Sequence, residues 1–251
     1  MRSTLRLILP GLAALSLALA GAQAESAAGI EVADAVAVAG RPVTLAVRTG
    51  GLFAAAGGMR VTLTIEGQAP REILTGGDGF GYLRFRPEAP GILGLAARAG
   101  SAEGSGRLLV LAPGEPVVVI EWESVLWSAL RPGEDEACRE ALRRIGRGFG
   151  IVFVTRWAGR DIARRRIDGD GLSRAVALAW RGASTLRRLR ELDIPIAAAI
   201  GSREVTAAAR GLADRRVGFD RERGVTRVGS WSEIPPLLEA PAPGGEGLRG
   251  R

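Results

Sequence analysis

Apolar and polar residues alternate in short runs through the first half of the chain. Val43, Leu45 and Val47 interleave with Thr44 and Ala46, and Val61, Leu63 and Ile65 interleave with Thr62 and Thr64. Leu83 and Phe85 alternate with Arg84 and Arg86, Leu93, Leu95 and Ala97 form a fourth set, and Leu109 to Leu111 close the region. A period of two is that of a strand with one wet face. The breaks are turn formers: Gly50-Gly51, Gly57-Gly58, Gly76-Gly77-Asp78-Gly79 and Pro87 to Gly91. Short strands separated in this way predict an antiparallel β-sandwich over residues 25–113.

The pattern changes after Ala112-Pro113-Gly114-Glu115-Pro116. Val117-Val118-Val119-Ile120 is continuously apolar, as in a strand buried on both faces of a parallel sheet. A helix is predicted over Glu134–Arg147, where Ala137, Cys138, Ala141, Leu142 and Ile145 share a face. Further strands are expected at 151–155, 175–180, 194–200, 216–219 and 225–228, and helices at 159–166, 183–192 and 205–212. Strands that alternate with helices imply right-handed crossovers and a parallel sheet. The expected fold is therefore two domains, an all-β sandwich followed by a three-layer α/β domain over 116–239. Residues 240–251, rich in Pro, Gly and Arg, read as a flexible tail.

The first 24 residues carry Arg2 and Arg6, an apolar run from Leu7 to Ala20, and Ala22-Gln23-Ala24. This is the pattern of a cleavable signal peptide, and it predicts a periplasmic or secreted protein. Composition narrows the chemistry. The chain has no His, Lys or Asn, so all 34 basic residues are Arg. Histidine-based catalysis and Cys/His zinc sites are excluded. The single Cys138 forms no intrachain disulfide and falls on the apolar face of its helix, where it reads as core. The formal charge of +7 accompanies no nucleic-acid-binding motif, so nucleic acid is not an expected partner. An anionic envelope surface or a protein partner remains open.

Candidate chemistry gathers at the end of the 117–120 strand. Glu121 and Glu123 stand where open α/β sheets place their sites, and as alternate strand residues they would point the same way. Ile167-Asp168-Gly169-Asp170-Gly171-Leu172 also spells an acid-x-acid string, but it follows a helical pattern and reads as a solvated turn.

Two resemblances add to this. Gly40-Arg41-Pro42-Val43-Thr44-Leu45, with Thr75 to Phe85 and Pro87 to Gly91, resembles bacterial immunoglobulin-like domains, which implies a spacer or binding module. Residues 116–239 resemble the haloacid dehalogenase superfamily of phosphatases, closest to the capless, lipin-like phosphatidate phosphatases. In that family a strand ends Asp-x-Asp, and here Glu121 and Glu123 hold the two acid positions. A second strand ends in Ser or Thr, here Thr155. A Lys opens a helix, which here falls near Arg181. A fourth strand ends Gly-Asp with further acids, here Gly201, Ser202, Arg203 and Glu204. The resemblance implies catalytic positions at Glu121, Glu123, Thr155 and Arg181, and metal positions at Glu121, Glu123, Ser202 and Glu204. The departures point to a catalytically inactive domain in a binding or structural role, with no cofactor. The alternative is a Mg²⁺-dependent phosphohydrolase with shifted residues.

Overall fold

The computed structural model describes residues 29–51, 55–156 and 159–240. The leader expected at 1–24 and the tail beyond Ala240 lie outside them. The first half builds β1 (Ile30–Val32), β2 (Ala35–Val38), β3 (Val43–Thr49), β4 (Arg60–Ile65), β5 (Arg71–Leu74), β6 (Phe80–Phe85), β7 (Gly91–Ala99) and β8 (Ala102–Leu111). They form two sheets, ordered β1-β3-β6 and β2-β8-β7-β4-β5. The alternating runs explain the packing. Leu45, Val47, Val61 and Leu63 are buried between the sheets, while Thr44 faces solvent. Most pairs are antiparallel, but β2 joins β8 in parallel.

The second half builds one parallel sheet from β9 (Val117–Glu121), β10 (Gly150–Thr155), β11 (Ala175–Ala179), β12 (Ile196–Ile200), β13 (Ala213–Gly218) and β14 (Thr226–Arg227). Its order is β11-β10-β9-β12-β13-β14. The connecting helices are α1 (Trp122–Ser128), α2 (Glu134–Gly148), α3 (Arg160–Gly169), α4 (Ala183–Glu191) and α5 (Arg203–Ala208), and α6 (Ile234–Glu239) closes the chain. Val118, Ile120, Ile151 and Phe153 face α2, α3 and α6. Val117, Val119, Val152 and Val154 face the other way. The unbroken apolar runs of β9 and β10 therefore have a core on each side.

That second core corrects the two-domain expectation. Beside Leu186 and Leu189 of α4 and Val205 of α5, it contains Val36 and Val38 of β2 and Leu109 and Leu111 of β8. The sandwich supplies part of the layer that helices would supply in an independent three-layer domain. β2 and β8 are buried on both faces, with Ala37, Leu108 and Val110 inside the sandwich. Contact is close enough that a Cβ on Gly150 would meet Leu111 Cδ2 at 2.9 Å. The segment 112–116 is a tight turn closed by hydrogen bonds between Ala112 and Glu115, which rules out a loose linker. Among the described residues strand exceeds helix, 39% against 27%, and they show no clear division into two units.

Polar groups seal the junction. The buried Asp34 accepts hydrogen bonds from the backbone N–H of Arg107 on β8 and of Ala177 on β11, each at 2.8 Å. It also pairs with Arg164 of α3 at 2.7 Å. Arg164 reaches further, to the carbonyls of Val32 and Ser105. β11 is the edge of the parallel sheet, and Asp34 occupies a donor that would otherwise be free to pair with another chain.

Two smaller expectations have structural outcomes. The acid string at 168–171 ends α3 in a Schellman turn: Leu172 N–H donates to Ile167 O, Gly171 N–H donates to Asp168 O, and Gly171 has φ 68°. Its acids pair with Arg107 and Arg166, and the turn is only partly solvated, since the Asp170 side chain is 8% exposed. Cys138 lies in the core of α2, and burial pushes its thiol up to about 12.

Candidate functional site at the switch point of the parallel sheet

Strand order reverses between β9 and β12. Open α/β sheets bind their ligands outside the carboxyl ends of the strands at that point. A crevice of about 270 Å³ lies there. Glu121, Glu123, Arg156, Gly201 and Ser202 form its floor, and Trp127, Arg131, Phe219 and Asp220 stand around it.

Glu121 is the last residue of β9, and its side chain is 2% exposed. Its Oε2 accepts from Ser202 N–H at 2.5 Å and from Ser124 Oγ at 3.1 Å. Its Oε1 accepts from Ser202 Oγ at 2.9 Å and from Arg156 at 3.3 Å. A carboxylate offers about four acceptor positions, and four donors occupy them.

Glu123 departs from expectation. The strand ends at Glu121 and α1 starts at Trp122, so Glu123 sits in the first turn of a helix. Trp122 drives this change, because its indole packs edge-on against Phe153 in the core with ring centroids 5.5 Å apart. Glu123 Oε1 accepts from Thr155 Oγ1 at 3.1 Å and from Arg156 N–H at 2.8 Å, which ties α1 to the end of β10.

Arg156 is the residue that the motif reading missed. It follows Thr155 directly, and its guanidinium lies between Glu121 at 3.3 Å and Glu204 at 2.8 Å. Glu204 also accepts from Trp180 Nε1 at 2.8 Å. One signal could have found it. In a chain without Lys, a cation at this strand end had to be Arg, and Thr155-Arg156 places one beside the expected acids.

Five of the six expected positions thus gather around Arg156: Glu121, Glu123, Thr155, Ser202 and Glu204. Arg181 does not. The chain turns at Gly182, φ 65°, and Arg181 lines a separate cleft between α4 and the sandwich. Its N–H donates to Thr185 Oγ1, and its carbonyl accepts from Ser184. Arg181 therefore does not reach the crevice, where the resemblance led to a cation being expected.

The residues present do not fit a Mg²⁺ ion. Magnesium takes carboxylate and water oxygens at about 2.0–2.1 Å in near-octahedral geometry. Here the Glu121 oxygens are filled by donors, Ser202 turns its own donors toward them, and a guanidinium lies between Glu121 and Glu204. Among the described residues no group of three or more acidic, His or Cys side chains could hold a metal. No helix among them is long and apolar enough to cross a membrane.

No protein-family model matches the chain. No curated protein matches it either. Several solved structures are similar to part of the chain. Domains 4 and 5 of the S-layer protein SbsC align over 34% of this chain and 44% of that one, at 13% identity and a TM-score of 0.27. The D0-D1 domain of intimin aligns over 32% and 43%, at 19% identity and a TM-score of 0.24. The M1 domain from titin aligns over 35% and 93%, at 19% identity and a TM-score of 0.24. The chain spans less than half the length of the first of these. These neighbours are immunoglobulin-like sandwiches, and likeness at this level carries no argument about what this chain does.

Proposed function

We propose that this chain is an exported binding protein, with a crevice of the haloacid dehalogenase kind that lacks hydrolytic chemistry. The observation that supports this most is Arg156. Its guanidinium stands between Glu121 and Glu204, where the resemblance would put a divalent cation. Arginine stays charged at any working pH, so the acids already have a fixed counter-ion. Glu121 would be the nucleophile in the family. Attack on phosphorus needs a lone pair, and the four donors on this carboxylate leave none directed at a substrate. Arg181, at the position of the Lys, lines a different cleft, which leaves Arg131 and Arg156 as the cations lining the crevice among the described residues. Export rests on the leader-like pattern of residues 1–24.

The test is direct. Purified protein with Mg²⁺ and p-nitrophenyl phosphate is expected to show no turnover above buffer, and calorimetry no heat of Mg²⁺ binding. Turnover that disappears in Glu121→Gln would instead establish the Mg²⁺-dependent phosphohydrolase.

A further inference from the structure

The cleft that receives Arg181 has the makings of a second site. It lies between α4 and the sandwich and holds about 440 Å³. Arg160, Arg181 and Arg188 line it, with the buried Asp34, Thr44 of β3, and Ser184 and Thr185 of α4. Val36, Leu178, Leu189 and Leu192 make an apolar floor.

Charge in the cleft is unbalanced. Arg160 is 24% exposed and pairs with Glu31, and behind it Arg164, 13% exposed, pairs with Asp34. Arg181 has no carboxylate within ion-pair distance among the described residues. Among the described residues Arg188 pairs with Glu191, at 3.6 Å with both side chains about two-thirds exposed, a contact worth little in water. Burial, together with the charges of Arg164 and Arg181, pulls the Arg160 guanidinium below its ordinary value. Two cations therefore face an apolar-floored cleft without partners that matter.

We propose that this cleft binds a phosphate-type oxyanion, free or as the head of a phosphorylated lipid, held chiefly by Arg181 and Arg188. The guanidinium fork matches a phosphate edge with two parallel hydrogen bonds. A dianion offsets the two surplus charges, and the apolar floor offers the hydrocarbon of an ester a dry surface. The crevice at Glu121 opens elsewhere and shares no lining residue with this cleft.

Calorimetry of the whole protein with inorganic phosphate, against sodium chloride at matched ionic strength, tests the site. Saturable phosphate binding is expected, and the double variant Arg181→Ala/Arg188→Ala should weaken it roughly tenfold or more. Both side chains are exposed, so the double variant should unfold at the wild-type midpoint. Arg187→Ala, on the same helix but outside the cleft, should bind phosphate as the wild type does, which separates this site from general surface charge. Phosphate heats no larger than those of chloride, or binding unchanged in the double variant, would overturn the proposal. Flotation with phosphatidylcholine vesicles, with and without phosphatidic acid, identifies the source. Capture that requires phosphatidic acid and both arginines assigns a lipid headgroup, and phosphate binding without capture assigns the free ion. Capture by phosphatidic acid that survives the double substitution counts against the site.

Discussion

At the scale of single residues, the crevice is governed by how tightly Glu121 is held. Gly201 follows β12 and puts the Ser202 N–H onto the Glu121 carboxylate. A Cβ on Gly201 would lie 2.6 Å from Glu121 Cβ and 2.8 Å from its Oε2. Neither atom can withdraw, since one is anchored to β9 and the other is held by Ser202 and Ser124. Gly201→Ala is therefore expected to destabilise by about 1–3 kcal/mol, as overpacking does in a filled core. Urea unfolding would measure it, and a change within about 0.5 kcal/mol would show that Glu121 is not locked. The residues of this crevice were largely legible in the sequence, because strand ends can be located from apolar runs. Their roles were not. Whether Ser202 lends its oxygen to a metal or donates a hydrogen bond to Glu121 depends on rotamers, and Arg156 stands one position past a motif that points to Thr155.

At the scale of elements, helix positions mostly followed from apolar spacing; the helix expected at 205–212 lies at Arg203–Ala208 and α6 was not expected, while α2 begins where the periodicity put it. α1 did not, since Glu121-Trp122-Glu123 reads as a continued strand until Trp122 is seen packing on Phe153. β2 and β8 carried a signal that alternation hid. Leu108 to Leu111 is an unbroken apolar run, the mark of a strand covered on both faces. Between helices, charge does what apolar contact does elsewhere. Arg166 of α3 donates to Asp135 of α2 at 2.7 Å and to Asp170 at 2.5 Å. The Arg166 hydrogen bond, helped by Arg139, holds the Asp135 carboxyl below its ordinary range. A carboxyl depressed in the folded state adds stability above its unfolded value near pH 4, and loses it as pH falls through the folded value. Asp135→Asn should accordingly be less stable than wild type near pH 7, and the difference should close by about pH 2. Unfolding midpoints at the two pH values decide this. An equal difference at both would mean that the ion pair contributes nothing through ionisation.

At the scale of the whole molecule, the parallel sheet and the sandwich share one core, and Asp34 is the polar fastening at their junction. Val36, Val38, Leu109 and Leu111 would each face water if the halves parted, and burying a side chain of this size is worth about 1.5–3 kcal/mol. Unfolding is therefore expected as one cooperative transition, with equal calorimetric and van't Hoff enthalpies, where independent domains would give two. Asp34→Ala tests the junction more sharply. It leaves the guanidinium of Arg164, 13% exposed, without its carboxylate and removes the acceptor for the N–H groups of Arg107 and Ala177. Breaking a buried pair from one side costs about 3–5 kcal/mol. For a chain of this size that lowers the unfolding temperature by on the order of 10 °C. Because the junction core draws on both halves, the single transition should move as a whole. A low-temperature transition that splits away, leaving a part that melts where the wild type melts, would show that the halves stand independently and that Asp34 only decorates their contact.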